Sequence, residues 1–417
     1  MTDLFDSLES RDPAAREAAL MSELPALLAR ASQAPGWAAI LKDVNAADIT
    51  SRAALAQLPV TRKSDLKDLQ KAQLPFGGLT TTPTEKLSRI FMSPGPIFDP
   101  EGRGADYWRY ARAFHALGAR SGDLIQNCFA YHFTPAGLMV EGGAAKLGCP
   151  VIPAGTGQTE MQVQAMNLLR PKVYAGTPSF LKIIIEKAQE MGEDISSLQM
   201  ALVGAEALPP SLRQWLNDHG VPHVLQTYGS ADIGNIAYET LTEGKVNPGM
   251  VLDETLLLEI VRPGTGDPVP AGEVGEIVIT SFNPDYPLVR FATGDMSAIL
   301  PDASPCGRTN TRIKGWMGRA DQTTKVRAMF VHPSQVAEIV RRHPHVRKAR
   351  LVITGEMAND TMTLHCEVAD TGSAQSEVNA IVASIRDVTK LRGEVSLVTA
   401  GSLPNDGKVI EDARSYQ

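Results

Sequence analysis

The chain has 417 residues, with 43% hydrophobic and 21% charged residues. That is a globular composition too long for one ordinary core, so one large domain and at least one smaller one are expected. A net charge of −7 leaves no basic footprint for nucleic acid, although a few local cations can still hold an anionic substrate.

The N-terminus, "MTDLFDSLESRD", is acidic and amphipathic and does not read as a secretory signal. The longest uncharged run near the middle, Leu124 to Val140, contains Gln126, Asn127, His132, Thr134 and Pro135 and makes a poor membrane span. Residues 1 to about 75 read as helical and polar, as in "AAREAALMSELPALLARA". Next comes "SRIFMSPGPIFDPEGRG", an apolar run that breaks into Ser-Pro-Gly-Pro and an acidic turn. A strand entering a glycine loop and then a helix is a common phosphate cradle, yet this loop has no Lys or Thr and its prolines remove amide donors.

From about 85 to 225, strand and helix signals alternate. "DLIQNCFAY", "CPVIPAG", "PKVYAGTP" and "MALVGAEAL" read as strands; "GLMVEGGAAKLG", "EMQVQAMNLL", "SFLKIIIEKAQEMG" and "PSLRQWLNDHG" read as helices. Such alternation predicts a helix-covered, mostly parallel sheet with ligands at the strands' carboxyl ends. From about 250, "TLLLEIV", "GEVGEIVIT" and "YPLVRFATGD" suggest a β-rich subdomain. After "GWMGRADQTT", the segments "RKARLVIT", "MTLHCEVA", "SEVNAIVASIRDVTKL" and "EVSLVTA" suggest a small α+β domain. The four cysteines, Cys128, Cys149, Cys306 and Cys366, show no paired spacing, so disulfides are not expected and the cytoplasm is the default location.

Four stretches carry candidate chemistry. "QTYGSADIGN" combines an aromatic ring, a glycine turn, a hydroxyl and Asp232, a hard ligand suited to Mg²⁺ near phosphate; alone it reads more readily as a polar strand-end turn. Asp295 follows a Thr-Gly turn, where a carboxylate can accept both ribose hydroxyls or simply cap the loop. Arg319 and Asp321 stand where the two textures meet, and Lys408 follows a turn near the C-terminus; singly these read as solvated charges.

Read in order, "VEGGAAKLGCPVIPAGTGQTEMQVQAM", "AGTPSFL", "LVGAEALPPSLR", "QTYGSADIG", "PLVRFATGD", "PCGRTNTRIKGWMGRADQTTKVRAMFVHPSQV" and "DGKVIED" resemble the phenylacetate–CoA ligase family of adenylate-forming enzymes, from about residue 85 to the end. The resemblance implies an N-terminal domain of residues 1–318 with helix-covered sheets and a β-rich subdomain, and a small mobile C-terminal domain of residues 319–417. It implies a ligase that makes an acyl-adenylate from ATP and a carboxylate, then a thioester with coenzyme A. On the family pattern Lys408 is the catalytic cation, Asp232 places Mg²⁺, and Asp295 holds the ribose. Gly204, Ala205, Glu206, Thr227, Tyr228, Gly229 and Ser230 line the nucleotide, Arg319 lies near ribose or phosphate, and Asp321 is the hinge. A homodimer is the implied assembly.

The family's phosphate loop, roughly Ser-Ser-Gly-Thr-Thr-Gly-Lys-Pro, is here Ser93 to Pro100, without the Thr pair, second glycine or lysine. Ser93 and the amides of Gly95, Ile97 and Phe98 remain as donors. Ala231 and Ala328 replace a hydroxyl residue and a glycine, and Cys306 stands alone where some relatives cluster cysteines, so no structural zinc is expected. The acyl pocket is expected from Tyr131, His132, Phe133, Pro135, Ala136 and Gly137, with Ala154 and Gly155 opposite. Three adjacent rings suit an aromatic or arylacetic acid, or are sheet core. Two rivals stay open: a nucleotide- or acyl-adenylate-binding homologue that no longer turns over, and an adenylating enzyme that loads a carrier protein.

Overall fold

In the computed structural model the described residues are 3–93, 96–320, 322–327, 329–355, 359–369, 375–404 and 408–414. Gly95, Asp321 and Ala328 lie outside them. The chain divides into two compact units, Met1–Ala205 with Trp215–Met317, and Glu206–Gln214 with Gly318–Gln417.

In the first unit, strands β1 (Thr61–Arg62), β2 (Arg89–Ser93), β3 (Ile97–Glu101), β4 (Ile125–Asn127), β5 (Val151–Pro153), β6 (Val173–Gly176), β7 (Met200–Val203), β8 (His223–Ser230) and β9 (Gly234–Tyr238) precede the β-rich segments. Among the described residues, β5, β4, β6, β7 and β8 form a parallel run within a nine-stranded sheet. Antiparallel β9 and the short strands Met250–Leu252, Arg312–Ile313 and Ile299–Leu300 extend it. β6 and β7 are buried along their whole length, as expected of strands covered on both faces.

The crossover helices start and stop where local chemistry dictates. Pro178–Met191 begins with Thr177 accepting from the Phe180 amide and Pro at its first turn, and ends on Gly192 in the left-handed region. Its stripe of Leu181, Ile184, Ile185 and Ala188 is buried. Ala136–Leu147 likewise ends on left-handed Gly148.

A four-stranded sheet has the order β1, Leu288–Ser297, Gly275–Ser281, Leu256–Val261. β1 pairs in parallel with the strand that carries Asp295, Thr61 opposite Phe291 and Arg62 opposite Ala292. This strand interrupts the region that reads as helical from sequence. Arg290 fixes the junction: its guanidinium, 1% exposed, pairs twice with Glu259 (2.9 and 3.0 Å) and donates to the carbonyls of Ala56, Leu58 and Gly266.

The stretch at Ser88–Gly104 departs from the strand–loop–helix expectation. β2 and β3 are antiparallel, with Phe91 opposite Asp99 and Ser93 opposite Ile97. The acidic "turn" is therefore a strand; Pro100 is tolerated because the pair is only two-stranded and leaves an edge free.

The second unit holds the sheet order Glu394–Thr399, Thr361–Val368, Lys348–Thr354, Ile410–Asp412, with helices Pro333–Arg342 and Gln375–Thr389. Its core includes Val336, Ile339, Leu351, Leu364, Ile381 and Ile385. All four cysteines are buried free thiols. No helix among the described residues is long and apolar enough to cross a membrane.

Candidate functional site

The carboxyl ends of β4, β6, β7 and β8 open on one side of the parallel run. Leaving β7, Gly204 sits against β8: a Cβ there would lie 2.7 Å from Thr227 Oγ1. Ala205 follows with φ +64, a left-handed backbone that costs a non-glycine residue on the order of 1 kcal/mol and gathers at functional turns. Thr227, Tyr228, Gly229 and Ser230 end β8, and the Ser230 hydroxyl accepts from the Ile233 amide at 3.3 Å.

Tyr228 and Asp295 meet across the two sheets. The Tyr228 hydroxyl is 2.9 Å from Asp295 Oδ2 and 3.2 Å from Thr293 Oγ1. Trp316 Nε1 donates to Asp295 Oδ1 at 3.0 Å. Two ring donors thus orient the carboxylate, one per oxygen, and a carboxylate oxygen can accept from more than one donor, as holding a diol requires.

Lys63, in the turn after β1, is the cation that the sequence reading missed. It forms an ion pair with Asp232, whose side chain is 0% exposed against 28% for Lys63. Burial alone would lower the lysine, but the charges of Asp232, Asp99 and Asp295 outweigh it and hold the ammonium above the usual lysine range. The same N-terminal segment reaches β3 through Gln70, 2% exposed. Its side chain donates to the Phe98 carbonyl (2.9 Å) and accepts from the Phe98 amide (2.8 Å). The Phe98 amide, counted as a phosphate donor from sequence, is therefore already engaged.

Asp99, next in β3, is fully buried. Burial, then the Asp232 charge, push its carboxyl up to about 8, against the pull of Lys63 and the nearby Ser93 hydroxyl. Ser93, 8% exposed, lies within 3.4 Å of the Ile97 carbonyl and donates there. Lys63, Asp99, Asp232 and Asp295 form one electrostatic group in the first unit. No group of three or more His, Cys, Asp or Glu among the described residues is arranged to hold a metal unaided.

The segment after β4 carries the expected acyl-pocket residues. The Tyr131 hydroxyl accepts from Asn127 Nδ2 (2.7 Å) and donates to Glu141 Oε1 (2.8 Å). Gly137 packs so tightly that a Cβ would lie 2.9 Å from the Ala130 carbonyl and 3.0 Å from the Tyr131 ring. Gly155 stands across the same ring, its amide donating to the Asn127 carbonyl at 2.9 Å. Pro135 is buried and Ala136 and Ala154 half-buried, while His132 and Phe133 are exposed, Phe133 by 72%. Only Tyr131 of the three rings is held by packing. The Phe133 carbonyl accepts from the Met92 amide at 2.8 Å, which ties this loop to β2.

Glu206, Arg319 and Lys408 belong to the second unit. Arg319 is half-buried, and Lys408 is exposed just before the strand Ile410–Asp412.

The AMP-binding enzyme family model matches residues 106–283. The chain is 31% identical over 340 residues to a phenylacetate-coenzyme A ligase of Aromatoleum evansii, covering 78% of this chain and 75% of that one. The chain belongs to the phenylacetate–coenzyme A ligase family. A second such ligase, from Thermus thermophilus, is 31% identical over 332 residues, covering 76% of this chain and 72% of the relative. Among solved structures, a 2-hydroxyisobutyryl-CoA ligase in complex with its acyl-AMP and CoA superposes with a TM-score of 0.81 at 23% identity, covering 98% of this chain and 92% of that one. An amide bond synthetase of Marinactinospora thermotolerans gives 0.56 at 17%. These likenesses establish the adenylate-forming fold. Within the family frame, Lys63, Asp99 and Trp316 are the residues of this site that no local motif announced.

Proposed function

We propose that the protein is an AMP-forming acid–thiol ligase that joins a carboxylic acid to coenzyme A through an acyl-adenylate, and that its acid is aromatic or arylacetic. The observation that carries the reading is the carboxylate of Asp295, oriented by Tyr228 and Trp316 where Tyr228 ends β8, the last strand of the parallel run.

In the first half-reaction a carboxylate oxygen attacks the α-phosphorus of ATP and pyrophosphate leaves; in the second, the CoA thiolate attacks the acyl carbon and AMP leaves. The difficulty of the first step is the approach of two anions. Asp295 accepts the ribose hydroxyls and Tyr228 offers its ring to the base, with Gly204, Ala205 and Glu206 beside it. Lys63 supplies, from outside the phosphate loop, a cation that the loop lacks. The hard oxygens of Asp232 and Asp99 fit Mg²⁺, which when bound neutralises phosphate charge. Lys408 supplies a second cation during adenylation, and Arg319 meets ribose or phosphate. The small domain, residues 319–417, turns about Asp321 between the half-reactions, so that Lys408 acts only in the first. Tyr131, seated between Gly137 and Gly155, forms the floor of the acyl pocket. The cytoplasm and a homodimer complete the proposal.

One observation favours a non-turnover binder: the phosphate position carries a buried carboxyl, Asp99, in place of donors. Incubation with ATP, CoA and a panel of carboxylates, followed by mass spectrometry, separates the readings. Acyl-CoA and AMP support the ligase. Acyl-AMP that persists with CoA present supports a carrier-protein acceptor. Nucleotide binding without either product supports the non-turnover homologue.

A further inference from the structure

Between β5 and the helix Thr159–Leu169 the chain makes a short loop, residues 154–158, exposed at its tip. Gly155 (φ +67), Gly157 (φ +74) and Gln158 (φ +50) are all left-handed, so the path of this loop has to be held from outside it. The holder is Gln162 in the following helix, 2% exposed. Its Nε2 donates to the carbonyls of Gly155 (2.8 Å) and Gly157 (2.9 Å). Its Oε1 accepts from Gln126 Nε2 (3.0 Å) and from the Cys128 thiol (2.9 Å). Both amide hydrogens and both lone pairs are thereby used. The neighbours also fix which way the amide points, since the turned amide would set its oxygen against two carbonyls. Burial pushes the Cys128 thiol up, which keeps its proton in place to donate. Gln126 and Cys128 are buried at the end of β4, and Asn127 stands between them. The Asn127 carbonyl accepts from the Gly155 amide (2.9 Å), and its Nδ2 donates to the Tyr131 hydroxyl (2.7 Å) and the Gly137 carbonyl (2.8 Å). One uncharged, buried network therefore joins the loop, the end of β4 and Tyr131.

Gly155 is where the height of the loop matters. A Cβ there would lie 3.8 Å from the Tyr131 ring, so any shift of the loop alters the wall that the two residues share. We propose that Gln162 is a positioning residue: it pins the 154–158 loop to the end of β4, with Gln126 and Cys128 as its anchors, and so sets which acids the acyl pocket accepts. The ribose and base are met by other side chains, Asp295 and Tyr228, so the choice of acid is separable from the grip on nucleotide. The inference rests on the reading of Tyr131 and Gly155 as acyl-pocket wall.

The test is steady-state kinetics of the full chain with ATP, CoA and three probe acids, benzoate, phenylacetate and 3-phenylpropanoate, which lengthen by one methylene at a time. Gln162→Leu keeps a side chain of similar length and strands the carbonyls of Gly155 and Gly157. KM for the parent's preferred acid should rise about tenfold or more, and the ratio of kcat/KM between neighbouring acids should shift by about fivefold. Meanwhile kcat and the KM for ATP should stay within about threefold of the parent. Cys128→Ala withdraws one donor from Gln162 and should move the acid ratio the same way by about threefold; Cys128→Ser restores a donor and should return it toward the parent. Acid KM and acid ratio equal to the parent's in a Gln162→Leu that binds AMP overturn the proposal. So does a KM for ATP that rises as far as that for the acid, because the glutamine would then only hold the fold together. Should Gln162→Leu fail to fold, Cys128→Ala decides, and an acid ratio equal to the parent's overturns the proposal. A parent that makes acyl-CoA from none of the three acids overturns the reading of the acid itself, a separate failure.

Discussion

Replacing Lys63 by Met removes the ammonium and keeps a long unbranched side chain. Asp232 is then left with a fully buried side chain and no counter-ion. Breaking a buried pair from one side costs about 3–5 kcal/mol; here Lys63 is 28% exposed and the acids can take up protons instead, so the lower end of that range, ~3 kcal/mol, is the expected loss of stability. The effect on chemistry is separable from it. One preorganised charge acting on the transition state is worth about 10²–10³ in rate. ATP–pyrophosphate exchange, which reads adenylation alone, should fall by that factor in Lys63→Met at a temperature where circular dichroism shows it folded. Thioester formation from synthetic acyl-adenylate and CoA needs no pyrophosphate charge and should stay within about threefold of the parent. Lys63→Arg keeps the charge but spreads it over a planar fork, so partial recovery is expected. Exchange within about threefold of the parent in folded Lys63→Met would refute the argument and leave Lys63 a structural counter-ion. Equal losses in both half-reactions would refute it as well.

Arg290→Met should cost about 3–5 kcal/mol in chemical denaturation by stranding buried Glu259, with much of this recovered in the double variant Arg290→Met/Glu259→Met. Asp295→Ala should weaken AMP by roughly 1.5–3 kcal/mol for each charge-assisted hydrogen bond to the ribose that it removes, whereas Ser93→Ala, whose hydroxyl already serves Ile97, should change calorimetric affinity little. Lys408→Ala should slow adenylation by about 10²–10³ while sparing thioester formation from supplied acyl-adenylate, read in the same two assays. Burial raises the Asp106 carboxyl to about 6, against the pull of the Ala111 and Tyr110 amides. The native state therefore binds that proton more tightly than the unfolded chain, and Asp106's contribution to stability is present below about pH 4 and is lost as pH rises through about 6. Denaturation of Asp106→Asn across this window should show a flatter profile than the parent.

Elements whose signal is local were legible in the sequence. "SFLKIIIEKAQEMG" announces its helix through its apolar stripe and a terminal glycine, and the buried strands β6 and β7 announce themselves as apolar runs between turns. β3 was hidden, because Asp-Pro-Glu reads as a turn and only pairing with β2 makes it a strand. β1 was hidden for the same reason: two residues carry no periodicity, and its strand state depends on register with Phe291 and Ala292. Asp232 and Asp295 stood out because they sit in recognisable motifs, whereas nothing near Lys63 points to Asp232, 169 residues away.

That difference changes how the stripped phosphate loop should be read. Compared position by position, the stretch from Ser93 to Pro100 lost a lysine and gained an aspartate, which looks like decay. The physical requirement, however, is for a certain charge in a certain volume, and any segment that reaches the volume can meet it. Parallel pairing of β1 with the Asp295 strand, braced by Arg290 at the carbonyls of Ala56 and Leu58, delivers Lys63 to Asp232. Gln70 ties the following helix to the backbone at Phe98, immediately before Asp99. A chain in decay has no reason to keep a foreign lysine paired with a buried Asp232, because breaking such a pair from either side costs stability. On the proposed reading, the cradle takes its cation from a segment outside the altered loop, and the Lys63–Asp232 pair is what holds that cation in place.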